Sequence, residues 1–145
     1  MIKISNQKKT KKVILKYLEA NSNNFIPPLS GRVNLDLFSK KINKYARQSW
    51  VFDRDEIVGF MACYVNDPEN ETAYITTISI LEKYKGQGLG MMLLKDCIDF
   101  AKNNGFKKVK LEVSKINTAA ISFYEKQGFY IVDCSFLSFF MAKNI

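Results

Sequence analysis

The sequence predicts an α/β domain, and four adjoining features of its second half carry that prediction. An apolar, β-branched run ends near residue 80, where a strand would stop. A glycine-rich turn, KGQGLG at residues 85–90, follows, and an amphipathic helical pattern starts at once. Apolar and charged residues then alternate over 108–113, as in a second strand. Strand, loop, helix and strand in this order favour a right-handed crossover between two parallel strands.

Length and composition indicate one globular domain over residues 1–145. Hydrophobic residues make up 47% of the chain and charged residues 25%, which are ordinary globular proportions. No apolar run approaches the roughly 18 residues of a membrane span. The basic N-terminus also lacks the apolar segment of a secretory signal. We therefore expect a soluble, cytoplasmic protein with no membrane partner.

The chain has no histidine and three widely spaced cysteines, Cys63, Cys97 and Cys134. The missing histidine excludes Ser-His and Cys-His nucleophile pairs and most zinc sites, and we expect no metal. Without a C-x-x-C motif, the cysteines are expected to be reduced, buried thiols. The net charge of +8 suits an anionic partner, but no known nucleic-acid-binding motif accompanies it, so no nucleic-acid partner is expected.

The first half of the chain predicts two helices and a hairpin. A short edge strand at 1–4 precedes an amphipathic helix over about 8–20, and Asn34 can cap a second helix. The inward residues of that second helix would be Leu35, Phe38, Ile42 and Tyr45. Residues 50–52 and 57–65 bracket a polar turn and are expected to form a β-hairpin.

The last third of the chain predicts two helices and a second hairpin. The helix after the glycine turn ends at Gly105, and a further helix over 117–127 is closed by Gly128. Strands are expected at 130–133 and 136–142. Four residues of the last segment are expected to seal the core, with an acceptor pocket or a homodimer surface as the alternatives: Phe136, Phe139, Phe140 and Met141.

The glycine-rich turn predicts a site for a phosphate or pyrophosphate. Glycines allow the backbone to approach a ligand closely, and the free N–H groups of the next helix face the turn. A Walker loop would end in Gly-Lys-Ser/Thr, whereas Met91 follows Gly90 here. A Rossmann loop would read G-x-G-x-x-G, whereas this turn reads G-x-G-x-G. An ordinary glycine turn is the alternative.

The turn resembles the acyl-CoA pyrophosphate loop of the GNAT superfamily of acetyl-CoA-dependent N-acyltransferases, Arg/Gln-x-x-Gly-x-Gly/Ala. Lys85, Gly88 and Gly90 occupy its positions, and lysine keeps the charge of arginine without its planar fork. The segment 117–129, NTAAISFYEKQGF, resembles the family's N-x-x-A-x-x-F-Y-x-x-x-G-F pattern. Together the two segments extend the resemblance over residues 57–129.

The resemblance implies a GNAT fold, in which a central mixed, twisted sheet of about six or seven strands is flanked by about four helices. Two central strands would splay apart in a V that receives the pantetheine arm of the co-substrate acetyl-CoA. Backbone groups of Ile78 and Ile80 would pair with that arm, and Asn117 and Tyr124 would contact it. The pyrophosphate would be bound by backbone N–H groups of Lys85, Gly86, Gln87, Gly88, Leu89 and Gly90.

The resemblance also implies direct transfer of acetyl to a primary amine, without a covalent enzyme intermediate. Tyr124 matches the family's general acid toward the departing sulfur, and the Ile80 N–H matches its oxyanion donor. Glu112 is the candidate base, with Tyr74 or Thr76 acting through water as alternatives. An amine that arrives neutral would need no base.

The acceptor is expected to be a small-molecule amine such as an amino sugar, polyamine, antibiotic or amino acid. A protein N-terminus or lysine is the alternative acceptor. Arg32 lies where the family's acceptor loop usually lies and could bind an acidic group, or it could simply face solvent. A non-catalytic acyl-CoA-binding module and a basic nucleic-acid adaptor are the competing classes.

Overall fold

A seven-stranded mixed sheet runs through the protein, and the computed structural model describes every residue from 1 to 145. Its strands are β1 (Ile2–Ser5), β2 (Arg47–Asp53), β3 (Glu56–Tyr64), β4 (Thr72–Ile80), β5 (Lys108–Ser114), β6 (Tyr130–Cys134) and β7 (Ser138–Asn144). The helices are α1 (Lys11–Asn21), α2 (Leu35–Tyr45), α3 (Leu89–Asn103) and α4 (Thr118–Lys126). The strands lie side by side in the order β1-β2-β3-β4-β5-β7-β6. The predicted fold class is confirmed.

β4 and β5 form the parallel pair that the sequence predicted, and all other neighbours are antiparallel. Their pairing ends at Ile75 opposite Leu111. Both strands continue beyond this point, so a gap opens between residues 76–80 of β4 and 112–114 of β5. This gap is the V-shaped splay between the central strands that the family resemblance implied.

A β-bulge lies where β4 parts from β5. Ala62 pairs with Thr77 and Cys63 pairs with Ile75, so Thr76 is the extra residue on β4. The bulge resets the alternation of β4, because Ile75 and Ile78 both pack against the core beneath α3. Ser79 faces the other side, where its hydroxyl lies 2.8 Å from the Tyr17 hydroxyl of α1.

The sheet separates two hydrophobic cores. α3 and α4 cover one face, where 18 buried residues form the larger cluster. α1 and α2 cover the other face with nine buried residues, centred on Trp50 stacked against Phe60 at 3.9 Å. Because successive side chains of a strand point to opposite faces, Met61 of β3 belongs to the first cluster and its neighbours Phe60 and Ala62 to the second. No helix of the structure combines the length and the hydropathy needed to cross a bilayer.

The helix ends follow the predicted capping residues. The Asn34 side chain accepts a hydrogen bond from the Leu37 N–H at 3.1 Å, as expected for the cap of α2. Gly105 has φ +82°, the left-handed conformation that ends α3, and the next residue, Phe106, is buried. These ends depend on local chemistry alone, which is why the sequence shows them.

Three side chains lie outside where the sequence placed them inside. Tyr45 is 53% exposed because it lies in the last turn of α2, and Ala46 takes the buried position there. Phe136 is 92% exposed in the β6–β7 turn, since β7 begins only at Ser138. Cys134 is exposed because β6 is an edge strand whose residues are all exposed, whereas Cys63 and Cys97 are buried as predicted.

Asp96 attaches α3 to the N-terminal part of the sheet. Its carboxylate accepts hydrogen bonds from Arg47 and Ser49 of β2 at 2.7 Å, and from Asn6 at 3.0 Å. Burial disfavours the charged carboxylate, but these hydrogen bonds outweigh it and lower the pKa of Asp96.

We expect Asp96→Ala to lower the free energy of unfolding by about 1–3 kcal/mol at pH 7, because the partly buried donors of Arg47 and Ser49 lose their acceptor. Since the folded-state pKa lies below the unfolded value near 4, the contribution of Asp96 is present above that value and is lost as the pH falls through the folded-state pKa. Urea unfolding of the wild type and the variant at pH 7 and pH 3 measures this contribution to the free energy of unfolding.

Asp99→Ala is the matched control, because Asp99 lies on the same helix in an exposed pair with Lys95 and should matter little. An equal loss for Asp96→Ala at both pH values would contradict the assignment.

Candidate functional site

The glycine turn before α3 adopts a conformation that requires glycine at two positions. Gly86 and Gly88 both have φ +80°, in the left-handed region that other L-residues enter only with strain. Gly88 is the N-cap of α3, and Gly90 lies in the first helical turn. These two left-handed glycines, separated by Gln87, curve the backbone around the N-terminal end of α3.

The backbone N–H groups of residues 86–91 donate to no acceptor within the protein. The first bond of α3 runs from the Met92 N–H to the Gly88 carbonyl at 3.1 Å, and the Lys85 N–H already bonds Glu82. No acidic side chain occupies the first turn of α3. These free donors and the positive end of the helix dipole are the groups through which the predicted anion site would act.

Side chains outside the turn hold it in place. The Tyr84 hydroxyl donates a hydrogen bond to Asp53 at 2.7 Å, which connects the turn to the β2–β3 hairpin. This hydrogen bond raises the pKa of Tyr84 to about 12, so the hydroxyl stays a donor. Lys85 forms an exposed ion pair with Glu82 at 2.9 Å and is free to exchange that partner for a ligand anion.

A cavity of about 510 Å³ runs from the glycine turn into the splay, and we call it the loop cavity. Gly86, Gly88 and Gly90 line one end. Ile78 and Ile80 of β4 line its wall, and α4 closes the side opposite.

Main-chain groups of β4 are directed into the splay. The Leu81 N–H donates to the Val58 carbonyl at 2.9 Å across the β3–β4 pair. Alternate residues of an antiparallel pair direct their N–H and C=O groups to opposite edges. Ile80 and Ile78 therefore direct theirs toward β5, from which β4 has already parted.

A second cavity of about 340 Å³ lies between β4, β5 and the α1–α2 connection, and we call it the splay cavity. Glu112 is its only carboxylate, and Arg32 lines it from the connection. Asn117, Tyr124 and Ile78 line both this cavity and the loop cavity. The two cavities therefore meet at the point where β4 leaves β5.

Tyr124 lies where the two cavities meet and is held there by packing. Its ring contacts Phe123 and Phe129 edge-on, with centroids 5.4 and 5.6 Å away. The residue is only 6% exposed, and burial raises the pKa of Tyr124 well above its usual value near 10. The phenol therefore keeps its proton and can serve as a proton donor.

Glu112 has no ion-pair partner in the splay cavity. Arg32 faces it, and burial lowers the pKa of Arg32 while the charge of Glu112 acts in the opposite direction. Burial and then the charge of Glu112 raise the pKa of Tyr74, so this phenol is a poor base. All three candidate bases line the splay cavity, and Glu112 is the only carboxylate among them.

Asn117 uses one side-chain atom structurally and leaves another available. Its Oδ1 accepts from the Ala120 N–H at 3.2 Å and caps α4, as the sequence allowed. The only side-chain hydrogen bond of Asn117 uses Oδ1, so its amide nitrogen is available, and the residue lines both cavities. Capping and ligand contact are therefore compatible here.

Two residues of the site were not predicted. The Thr77 hydroxyl is sealed from solvent without a hydrogen-bond partner beside the splay cavity. Gly59 lies opposite Ile80, and a Cβ there would come within 2.7 Å of the Ile80 Cδ1. A glycine within a predicted strand is the signal that could have indicated such a close approach.

Comparisons with known proteins agree with this arrangement. A family model described as the acetyltransferase (GNAT) family matches residues 17–129. N-alpha-acetyltransferase 30 of Schizosaccharomyces pombe is 32% identical over 100 residues, which cover 63% of this chain and 67% of that protein. Mycothiol acetyltransferase of Corynebacterium glutamicum is 34% identical over 84 residues, which cover 58% of this chain and 28% of that protein.

A solved structure shares the whole fold. The PaiA N-acetyltransferase of Thermoplasma acidophilum, in complex with coenzyme A, matches with a TM-score of 0.80 and 18% identity, covering 100% of this chain and 99% of that chain. At that identity the likeness concerns the fold. The family match includes the glycine turn, Glu112 and Tyr124. The chain therefore belongs to the GNAT family of acetyltransferases.

Proposed function

We propose that this protein transfers the acetyl group of acetyl-CoA directly to a primary amine within a ternary complex. The observation that carries the proposal is that Tyr124 and Asn117 line both cavities at the point where they meet. One cavity ends at the anion site of residues 86–91. The other contains a single carboxylate, Glu112. A donor and an acceptor can thus enter from different sides and react beside Tyr124.

The residues of the loop cavity fit the chemistry of coenzyme A. The free N–H groups of 86–91 suit a pyrophosphate, because they are many, fixed and close to a helix N-terminus. The N–H and C=O groups of Ile78 and Ile80 suit an amide-bearing arm, which can bond them as a strand would. When bound, acetyl-CoA supplies an activated thioester.

The chain's own groups then carry out three tasks. The Ile80 N–H donates a hydrogen bond to the acetyl oxygen, where negative charge develops. Tyr124 donates its Oη proton to the departing sulfur. Glu112 accepts the proton that the attacking amine loses, directly or through water. Arg32 facing the same cavity disfavours a second positive charge, so it favours the neutral amine.

A small primary amine is the acceptor that we propose, since about 340 Å³ is the size of a small-molecule pocket. A protein N-terminus is the second candidate, favoured by the similarity to N-alpha-acetyltransferase 30. Acetylation assays on a panel of small amines and short peptides separate the two. A protein that binds acetyl-CoA and acetylates neither would be a non-catalytic binding module.

Gly88→Ala should weaken acetyl-CoA binding, because a left-handed alanine shifts the free N–H groups around it. Acetyl-CoA at about 100 times its Kd should raise the free energy of unfolding of the wild type by roughly 2.7 kcal/mol. We expect the variant to keep less than half of that gain in thermal unfolding with and without the ligand.

Gly105→Ala is the matched control for Gly88→Ala. Its glycine has φ +82° at the opposite end of α3, so the backbone strain is similar and the anion site is untouched. Gly105→Ala should be destabilised but should keep the full gain. Equal gains in both variants would contradict the placement of the pyrophosphate.

Tyr124→Phe should lower kcat by about 10²-fold or more, because the general acid is removed while the ring packing remains. The affinity for acetyl-CoA should change little. Thiol release with a reactive amine measures the rate. Tyr130→Phe, on exposed β6, is the control and should keep wild-type activity. An unaltered rate in Tyr124→Phe would refute the role.

The pH profile of kcat tests the state of Tyr124 independently. A raised pKa keeps the phenol protonated at pH values where an ordinary tyrosine begins to ionise near 10. We therefore expect no decline of kcat between pH 8 and pH 10 in the wild type. A fall with an apparent pKa near 9 that is absent in Tyr124→Phe would show that the acid ionises earlier than its burial allows.

A further inference from the structure

We propose that the acceptor site extends into a third cavity that binds an anionic group, so that the preferred acceptor is a primary amine bearing a carboxylate or phosphate several bonds from its nitrogen. This inference rests on the proposed acetylation of amines. It names the class of acceptor.

The third cavity, here called the outer cavity, encloses about 680 Å³ beside the C-terminal end of α2. Tyr74 and Thr76 of β4 line both the outer cavity and the splay cavity. The two spaces therefore adjoin along β4. Tyr64, Phe140 and Lys110 contribute to the outer lining, so it combines aromatic rings with a positive charge.

The register of the sheet sets the path between the two cavities. Lys110 pairs with Tyr74 across β4–β5, and Glu112 pairs with Phe140 across β5–β7. Lys110 and Glu112 are two residues apart on β5, so they share one face, about 7 Å from each other along the strand. A negative charge at the splay and a positive charge further out thus lie on one continuous floor.

The positive charges of the outer cavity lack acidic partners. Neither Lys110 nor Lys41 takes part in an ion pair, and the Lys41 ammonium lies 5.2 Å from the centre of the Tyr64 ring. Asp67 is the only acidic residue in the lining, and its carboxylate accepts hydrogen bonds from Asn70 within its own turn. An anion entering this cavity therefore meets two free ammonium groups.

Tyr64 adds an unused hydrogen-bonding group. Its hydroxyl is sealed from solvent and has no partner in the protein. Burial, followed by the neighbouring Tyr74, raises the pKa of Tyr64, so the hydroxyl keeps its proton and can donate. Buried hydroxyls are usually hydrogen-bonded, and a ligand oxygen would supply the missing acceptor once the Tyr64 ring turns its hydroxyl toward the cavity.

The spacing of the charges selects the acceptor chemistry. The amine must reach Glu112, while its anion must reach Lys110 about two strand residues away. An α-amino acid carries both groups on one carbon and is too short. An ω-amino acid, an aminoalkyl phosphate or a peptide N-terminus followed by an acidic side chain has the required length.

Matched pairs of amines test the proposal. 6-Aminohexanoate is compared with 6-amino-1-hexanol, and the peptide amide Ala-Glu with Ala-Gln, so that each pair differs in one charge. We expect kcat/KM to favour the charged member by about tenfold in at least one pair, as for a charge-assisted hydrogen bond. The responding pair distinguishes a small molecule from a peptide as the source of the anion. The preference should shrink as salt is added.

Lys110→Met and Lys41→Met should bring the preference to about one, because methionine keeps an apolar stem without the charge. Lys108→Met is the matched control: Lys108 lies on the same face of β5 but does not line the cavity, so the preference should stay. The proposal would be overturned if the wild type preferred the charged member by less than twofold in both pairs. It would also be overturned if Lys110→Met and Lys41→Met kept the wild-type preference.

A binding measurement separates this inference from the proposed function. Titration calorimetry with 6-aminohexanoate and 6-amino-1-hexanol needs no turnover. If no amine is acetylated, charge-selective binding that is lost in Lys110→Met still supports the outer cavity as an anion site. Equal or absent binding of both compounds overturns it, whatever the activity.

Discussion

The parting of β4 from β5 beyond Ile75 and Leu111 is the constraint on which the rest of the structure depends. Main-chain N–H and C=O groups inside a sheet normally bond a neighbouring strand, and leaving them unpaired costs free energy. Here the bulge at Thr76 ends the pairing while β3 continues to hold the other edge of β4. The gap is therefore fixed in shape, and its free groups remain available to a ligand. α3 and α4 pack on the larger core beneath it, which places the glycine turn and Tyr124 at its two sides.

Under the proposed function, the two ends of the site would recognise their ligands by different means. Around residues 86–91, the free donors are main-chain N–H groups, so recognition there would belong to the backbone. The charged groups that line the splay and outer cavities are side chains, among them Arg32, Glu112 and Lys110, so recognition there would belong to side chains. Main-chain recognition requires a backbone shape and tolerates many sequences, whereas side-chain recognition changes with each substitution. Substitutions would therefore alter the proposed acceptor site more readily than the proposed donor site.

The sequence predicted the features that depend on local spacing. The cap at Asn34, the left-handed stop at Gly105 and the turn at 85–90 each need only a few neighbouring residues. The parallel β4–β5 pair was also predictable, because a helix between two strands is the usual crossover connection of a parallel pair. The roles of Tyr124, Ile80 and Glu112, and pairing with a second copy of the chain, stay predictions.

The features that the sequence did not predict depend on distant parts of the chain. Tyr45 fits the predicted helical repeat of α2, but the residues buried at this end of the helix are Ile42 and Ala46, so the ring lies outside the buried face. The extra residue at Thr76 is visible only once β3 and β4 are in register. Lys41 and Lys110 come from a helix and a strand that lie far apart in the sequence and share a cavity only after folding.

The outermost strand, β6, has a consequence for how the protein behaves in concentrated solution. Its residues are all exposed, and Tyr130, Ile131 and Val132 give it an apolar, unprotected edge. Such an edge can template a strand from another molecule and start aggregation. The formal charge of +8 opposes that contact through long-range repulsion between molecules. Repulsion of this kind is screened within about 10 Å at 0.1 M ionic strength, so the protein's colloidal stability should decline as the buffer is made more saline.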